Sequence, residues 1–217
     1  MSQHSKALAA LTLGLAVVIS ALVVTRHVLA VAEQAEGERL NRLILEYIAE
    51  KNPQAPIRAF HRFPDVLRAE AQRSHIDHCL ALVQAEVESE FRHDAVGAAG
   101  EVGLYQILPS TAALLESQVG PFRRPVIGKT ARDLGDLADP VISTRFAMAY
   151  LRDIMTRKPI LRDALTEYNG GPNGRHLQYY RMVMGAYVEI LERPELQCRY
   201  RPAVPKAAPV LTVLARS

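Results

Sequence analysis

Residues 78–88 read HCLALVQAEVE, and this apolar stretch decides the predicted fold. Leu80, Val83 and Val87 recur at the spacing of one helix face, and Asp77 precedes them as a favourable N-cap residue. The stretch therefore predicts a buried helix whose last turn carries the final glutamate of the quoted segment.

Helical patterns continue on both sides of this stretch, whereas alternating strand patterns are nearly absent. Residues 93–103 contain three glycines and no helical period, which predicts a loop or short hairpin. The other predicted helices cover residues 65–73, 110–118, 141–155, 161–167 and 177–191. We therefore predict an all-α domain from about residue 58 to 198, followed by a proline-rich tail over residues 199–217.

The N-terminal segment is apolar and carries no charge from Ala7 to Thr25. At about 1.5 Å per helical residue it nearly spans the roughly 30 Å of bilayer hydrocarbon, so we predict a membrane-spanning signal anchor over residues 1–32. A cleaved signal is the alternative, because Ala30-Val31-Ala32 offers small residues to a signal peptidase. Residues 33–57 predict an amphipathic juxtamembrane helix and linker, with the helix ending near Asn52-Pro53.

Composition limits the possible functions. The 217 residues are 49% hydrophobic and 23% charged, which suits one ordinary core. The net charge of +3 is small, Trp is absent, and no basic run is interleaved with aromatics, so we predict no nucleic-acid binding. Cys79 and Cys198 are compatible with a disulfide or with two separate buried thiols. No histidine and cysteine spacing resembles a zinc site, and we predict no metal or cofactor.

Three segments stand out against the helical background. They read VESEF at residues 87–91, GEVGLYQILP at 100–109 and EYNGGP at 167–172. They resemble the soluble lytic transglycosylase family, whose signature is a Glu-Ser pair, then Gly-Leu-Met-Gln, then Ala-Tyr-Asn-x-Gly-Pro. Asp139-Pro140 and Tyr150-Leu151 extend the likeness, which agrees in order, spacing and residue type.

The resemblance covers roughly residues 74–190 and implies a lysozyme-like helical domain that cleaves peptidoglycan glycan strands. It implies that Glu88 is a single catalytic acid/base, and that the substrate's own N-acetyl group takes the part of the nucleophile. The product would carry an anhydromuramoyl end. The implied substrate-binding residues are Ser89, Gly103, Leu104, Tyr105, Gln106, Tyr168, Asn169 and Tyr187. A core role for Tyr187 remains an equal alternative, and Tyr150 is assigned to the core.

The sequence departs from the family pattern at four positions. Gly97 stands where the family often has Ser, Glu101 replaces a usual Ala, Tyr105 replaces Met, and Ser143 stands where Asn is typical. These departures bear on how the substrate fits the site.

The position of Glu88 suits acid catalysis on physical grounds as well. At about 100° per residue, Glu86 and Glu90 each project roughly 200° away from Glu88, so the carboxylates cannot share one helix face. The negative end of the helix dipole raises the pKa of a carboxyl at the helix C-terminus. A raised pKa keeps the proton available for a leaving oxygen near neutral pH.

Two other functions remain open. A lysozyme-like hydrolase could use Glu101 or another loop carboxylate to activate water, and an envelope anchor could bind glycan without cutting it. The expected location is the cell envelope, with a periplasmic domain held at the inner membrane. A single anchor with one small domain fits local wall opening for an envelope-spanning assembly, and wall turnover and a phage function remain open.

Overall fold

A computed structural model of the chain describes the backbone of residues 3–128, 132–175 and 177–199. Side chains are described from residue 20 onward within these ranges, apart from that of residue 132. The predicted tail therefore lies outside the described residues, except for its first residue.

Most of the described residues are helical and only one two-residue strand pair is present among them, which confirms the all-α prediction. The α-helices are α1 (Gln3–Lys51), α2 (Phe63–Arg73), α3 (His78–Ser89), α4 (Pro109–Val119), α5 (Pro140–Arg157), α6 (Leu161–Gly170) and α7 (Leu177–Ile190). Short 3₁₀ helices cover Ile57–Phe60, Gly135–Ala138 and Pro194–Leu196. Strands β1 (Val126–Ile127) and β2 (Arg132–Asp133) form a two-residue antiparallel pair in which Val126 faces Asp133.

The N-terminal helix is continuous, so the structure has no break between the predicted anchor and the predicted juxtamembrane helix. Helix α1 ends at Lys51, just before Asn52-Pro53 as predicted. The chain divides into two compact units, residues 1–42 and 43–217, so the end of α1 belongs to the same unit as the other helices. In the described residues, no helix combines the length and apolar character needed to cross a bilayer. The side chains of residues 1–19, which include most of the apolar run from Ala7, lie outside this description.

Helix α3 forms the centre of the second unit and packs against α2 and α7. The Asp77 carboxylate caps its N-terminus by accepting the Cys79 N–H at 3.2 Å. The helix ends after Ser89 because Glu90 and Phe91 both adopt positive φ angles, 53° and 57°. The buried Phe91 ring packs edge-on against Tyr47, which holds this turn against the last part of α1.

Helix α5 provides the second packing centre and contacts α2, α4 and α6. The Asp139 carboxylate caps it by accepting the N–H of Val141 at 2.7 Å and that of Ile142 at 3.3 Å. Pro140 occupies the first turn, where its missing N–H costs nothing. The helix therefore begins one residue before the predicted start.

The helix boundaries differ from the sequence predictions by one to three residues, and two of these differences concern acidic residues. Helix α2 begins at Phe63, two residues before the predicted start, so Asp65 lies inside its first turn, where it forms an ion pair with Arg68. Helix α6 continues to Gly170, three residues beyond the predicted end at Glu167. The side chain of Glu167 is 1% exposed inside this helix, and ion pairs with the partly exposed Arg157 and Lys158 compensate the burial of its carboxylate.

A disulfide joins Cys79 to Cys198, with 5.4 Å between the two Cα atoms. It connects the first turn of α3 to the last described residues of the chain. Of the two alternatives that the sequence left open, the structure therefore has the bridge.

Candidate active site

A cleft of about 260 Å³ opens beside the last turn of α3. Its walls come from the loop before α4, the first turn of α4, the middle of α5 and the end of α6. The lining residues are Glu88, Gly97, Ala98, Glu101, Gln106, Ile107, Leu108, Thr111, Tyr150, Tyr168, Asn169 and Gly171. The cleft thus gathers side chains from all three sequence segments that stood out.

Glu88 lies in the last turn of α3 and reaches into this cleft. The pKa of its carboxyl is raised to about 7, mainly by burial and to a smaller extent by the charge of Glu101. The Tyr179 hydroxyl donates to Glu88 Oε1 at 2.5 Å and acts in the opposite direction, because it stabilises the carboxylate. A large fraction of Glu88 is therefore protonated at neutral pH, as a general acid requires.

Ser89 follows Glu88 but points away from the cleft. Its side chain is 2% exposed, and its hydroxyl lies within hydrogen-bond distance of the Leu104 carbonyl, at 2.8 Å, and of the Ala85 carbonyl, at 3.1 Å. Ser89 thus ties the end of α3 to the loop that faces Glu88. The side chain of this predicted substrate-binding residue therefore makes buried contacts and does not line the cleft.

Leu104 and Tyr105, also predicted to bind substrate, are fully buried. The Tyr105 hydroxyl donates to the Ala81 carbonyl at 3.0 Å, and its backbone N–H donates to Ser143 Oγ at 3.3 Å. The structure therefore keeps both side chains out of the cleft. The Tyr and Ser that replace the Met and Asn of the family pattern meet each other in the core.

Gly103 does not line the cleft either. Its φ is +84°, and a Cβ atom there would stand 1.9 Å from the Leu137 carbonyl oxygen. The sequence predicted that this glycine lets the backbone approach a sugar, but the close neighbour is the 3₁₀ helix Gly135–Ala138. The glycine is required for that backbone-to-backbone contact.

Gln106, which was predicted to bind substrate, lines the cleft. Its Nε2 donates to the Gly103 carbonyl at 2.8 Å and to the Ala95 carbonyl at 3.3 Å, which fixes the orientation of the amide. Its Oε1 is thereby directed toward Gly97, where an added Cβ atom would lie 2.7 Å away. An amide held in this way offers a preoriented polar group to a ligand.

The departures at Gly97 and Glu101 are physically linked. A Cβ atom at Gly97 would stand 2.3 Å from Glu101 Oε2, so the carboxylate occupies the space next to the glycine. The Ala99 N–H also donates to Glu101 Oε2, at 3.0 Å. Glu101 therefore places a second carboxylate in the same cleft as Glu88, and the glycine makes room for it.

Two aromatic residues from α5 and α6 line the cleft. The Tyr168 hydroxyl donates to the Tyr105 carbonyl at 3.0 Å, and its ring lies 5.2 Å from that of Tyr150. Asn169 follows on the cleft side. Tyr168 and Asn169, both predicted to bind substrate, therefore line the cleft, and Tyr150, which was assigned to the core, lines it as well.

Tyr179 at the start of α7 is the residue that sequence reasoning missed. Its ring stacks on that of Tyr168 at 6.3 Å, with 7° between the ring planes, and its hydroxyl contacts Glu88. Burial, followed by the charge of Glu88, raises the pKa of both tyrosines well above the usual value, so both are neutral donors. The sequence did contain a signal for this contact. The connection from Asn169 to α7 is short, so it brings Tyr179 back near Tyr168.

Tyr187, which was predicted to bind substrate or to belong to the core, lies at the other end of α3. Its hydroxyl donates to Asp77 Oδ2 at 2.5 Å, at the N-cap of the helix. It is 2% exposed and belongs to the core, which was the alternative weighed beside its substrate-binding role.

Gln84 lies one turn before Glu88 on α3 and is fully buried. Its amide lies beside the Tyr179 hydroxyl and lowers the pKa of that tyrosine, opposing the larger effect of burial. Within the described residues, neither polar atom of the amide attains full hydrogen-bond geometry. Gln84 therefore places a buried amide next to the Tyr179 hydroxyl, which in turn contacts Glu88.

The described residues also contain a cluster of potential metal ligands, Asp77, His78 and Cys79. Cys79 is in the disulfide, and the Asp77 carboxylate accepts hydrogen bonds from Tyr187 and from the backbone of Arg199. These atoms already have structural partners at the N-cap of α3, far from the cleft along the helix.

Comparison with known proteins gives one family match. The model described as Transglycosylase SLT domain matches residues 65–183, which include the cleft segments. No match to a curated protein sequence was found. The crystal structure of an inactive mutant of the lytic transglycosylase Slt from Pseudomonas aeruginosa is similar, with a TM-score of 0.49 and 22% sequence identity. The match covers 74% of this chain and 28% of that protein.

Proposed function

Because the chain belongs to the transglycosylase SLT domain family, we propose that it is a peptidoglycan lytic transglycosylase with Glu88 as its catalytic acid and base. The observation that carries this proposal is the carboxyl of Glu88, which faces a cleft and has a pKa raised to about 7. Proton donation to a glycosidic oxygen needs an acid of this kind.

The reaction begins when Glu88 protonates the oxygen that links N-acetylmuramic acid to N-acetylglucosamine. As this C–O bond breaks, the acetamido oxygen of the muramoyl sugar closes on its anomeric carbon. The Glu88 carboxylate then takes the proton of the C6 hydroxyl on the same sugar, and O6 displaces the acetamido oxygen. The products are an anhydromuramoyl end and an N-acetylglucosamine end whose bridging oxygen has become a free hydroxyl, and no water is consumed. Substrate assistance replaces the second carboxylate that most glycosidases use.

Neighbouring side chains have distinct roles in this proposal. The Tyr179 hydroxyl stabilises Glu88 after it has lost its proton, because it donates directly to Oε1. Gln106 and Asn169 offer amide groups to the acetamido and hydroxyl groups of the sugars. Tyr150 and Tyr168 provide aromatic surface for sugar rings.

A hydrolase is the second candidate, and Glu101 is the observation that favours it. This carboxylate lines the same cleft as Glu88 and could activate a water molecule as general base. The two mechanisms leave different ends on the muramoyl sugar, so analysis of the products separates them.

The experiment is digestion of purified peptidoglycan by the full chain, followed by mass spectrometry of the products. Anhydromuramoyl ends are expected. Reducing ends that disappear in Glu101→Gln would establish the hydrolase instead, and glycan that remains intact would support a non-catalytic anchor.

Glu88→Gln should lower the rate by roughly 100-fold or more. Glu90→Gln is the matched control, because Glu90 is exposed, lies outside the cleft and should retain full activity.

The location of the reaction belongs to the same proposal. An apolar N-terminal run held in the inner membrane would keep the catalytic unit on the periplasmic side, next to its peptidoglycan substrate. Exposed Leu22, Val24 and Val28 extend the apolar surface of α1 in that segment. A protein anchored in this way could open the wall locally for an envelope-spanning assembly. Separation of membrane and soluble fractions, with immunodetection of the full chain, tests the anchoring.

A further inference from the structure

A second concave site, here called the arginine pocket, lies on the surface formed by α2, α4 and α5. Its volume is about 210 Å³. The lining residues are Glu70, Arg73, Gln118, Val119, Arg145, Ala149 and Arg152. None of these residues contributes to the cleft that contains Glu88.

The charges of the arginine pocket do not balance. The side chain of Glu70 is 10% exposed and forms ion pairs with Arg73 and, at 3.9 Å, with Arg145 Nε. Arg152 donates from Nη2 to the neutral Gln118 Oε1 at 3.0 Å, and no carboxylate of the described chain lies within 4 Å of it. Three guanidinium groups thus face one carboxylate, which leaves a net charge of about +2 in the pocket.

Excess guanidinium charge around a depression favours an anionic ligand. The planar N–H groups of arginine match the two oxygens of a carboxylate, and Glu70 already orients two of the three side chains from below. The guanidinium groups remain accessible, since the side chains of Arg73 and Arg145 are 60% and 44% exposed.

Helix α4 connects the arginine pocket to the active-site cleft. Thr111 lines the cleft and Gln118 lines the pocket. Seven residues of an α-helix correspond to nearly two turns, so these side chains project within about 20° of each other and lie about 10 Å apart along the axis. Roughly three residues of extended peptide cover that distance.

We propose that the arginine pocket binds the free carboxylates of the peptide stem on a glycan strand whose sugars occupy the cleft. This inference rests on the proposed function, because the strand in the cleft is peptidoglycan. The stem is attached to the muramoyl sugar beside the scissile bond, and it is the anionic part of that substrate. The arginine pocket would therefore favour strands that still carry their peptides.

The test compares the wild-type chain with Arg145→Gln/Arg152→Gln on two substrates. One is intact glycan with its stems, and the other is the same glycan stripped of stems by an amidase. Arg73 stays in place so that Glu70 keeps an ion-pair partner. Arg162→Gln is the control, because Arg162 is similarly exposed, at 53%, and pairs with the adjacent Asp163. Arg152→Gln alone serves if the double variant unfolds.

The double variant should lower kcat/KM roughly fivefold to tenfold on stem-bearing strands and leave stripped strands within about twofold. Equal rates for variant and wild type on both substrates would overturn the proposal. An equal loss on both would also overturn it, since it would show a structural effect of the arginines. Absence of cleavage by the wild type would instead refute the proposed function.

Direct binding gives a readout that is independent of turnover. The stem tetrapeptide released by the amidase is titrated by calorimetry into the full chain carrying Glu88→Gln, with and without the two arginine substitutions. Binding that is lost with the arginines supports the proposal. Binding that is unaffected by their removal, or stronger binding of inorganic phosphate than of the peptide, overturns it.

Discussion

Glu88 is subject to opposing influences on its proton. Burial and the charge of Glu101 favour the neutral acid, whereas the hydrogen bond from Tyr179 favours the carboxylate. The first two outweigh the third, since the pKa stands at about 7 instead of the ordinary 4.5. The same tyrosine can therefore stabilise the Glu88 carboxylate after proton transfer, yet it does not remove the proton from Glu88 beforehand.

Replacing Tyr179 with phenylalanine should move the pH dependence of activity to higher pH. The hydroxyl lowers the pKa of Glu88, so its loss raises that pKa and keeps the acid protonated to a higher pH. In the wild type, kcat/KM should fall on the alkaline side with a midpoint near pH 7. In the variant, this midpoint should shift to higher pH by roughly 0.5 to 1 unit.

Tyr187→Phe is the matched control for this measurement. Tyr187 lies on the same helix and also donates to a carboxylate at 2.5 Å, but its partner is Asp77 at the far end of α3. An unchanged alkaline limb in the Tyr179 variant, or an equal shift in both variants, would contradict the assigned role of Tyr179.

At the scale of elements, α3 is held along its length by neighbouring segments. On one side, the Tyr47 hydroxyl of α1 donates to Glu86 Oε2 at 2.5 Å, and Lys51 forms ion pairs with Glu86 at 3.1 Å and Glu189 at 2.9 Å. On another side, Ser89 contacts the loop before α4. The helix therefore presents Glu88 from a constrained scaffold, as precise proton transfer requires.

The loop that faces Glu88 depends on Gly103, and Gly103→Ala should destabilise the protein by about 3 kcal/mol or more. The added methyl group would collide with the Leu137 carbonyl, which is backbone and cannot move away easily. Gly100→Ala is the control. Gly100 has a similar φ of +91° but open space around it, so only backbone strain of about 1 kcal/mol is expected. Chemical denaturation measures both free energies of unfolding, and equal values would refute the close contact.

At the scale of the whole molecule, the Cys79–Cys198 disulfide closes a long loop. The bonded residues are 119 positions apart, so the bridge restricts much of the unfolded chain. Reduction should cost about 2 to 4 kcal/mol, which corresponds to a fall in Tm of roughly 5–15 °C.

Thermal unfolding with and without reductant, followed by circular dichroism, checks this prediction. The variant Cys79→Ser/Cys198→Ser should unfold at the temperature of the reduced protein and respond to no reductant. An unchanged Tm in a sample whose two thiols titrate as free would show that the bridge contributes nothing to stability.

The sequence alone determined most of the helices, because apolar periodicity and capping residues act over a few neighbouring positions. It predicted α3 behind the Asp77 cap, the loop before α4 and the position of Glu88 at a helix end. It also singled out Gln106, Tyr168 and Asn169, since their segments carry the family pattern, and all three line the cleft.

The tertiary structure decided which tyrosine meets Glu88. Tyr179 and Tyr187 lie on the same buried stripe of α7, and helical periodicity cannot distinguish them. Helix α7 runs antiparallel to α3, so Tyr187 meets Asp77 at one end and Tyr179 meets Glu88 at the other. The contact depends on the direction in which two distant segments pack, and local sequence patterns do not encode that direction.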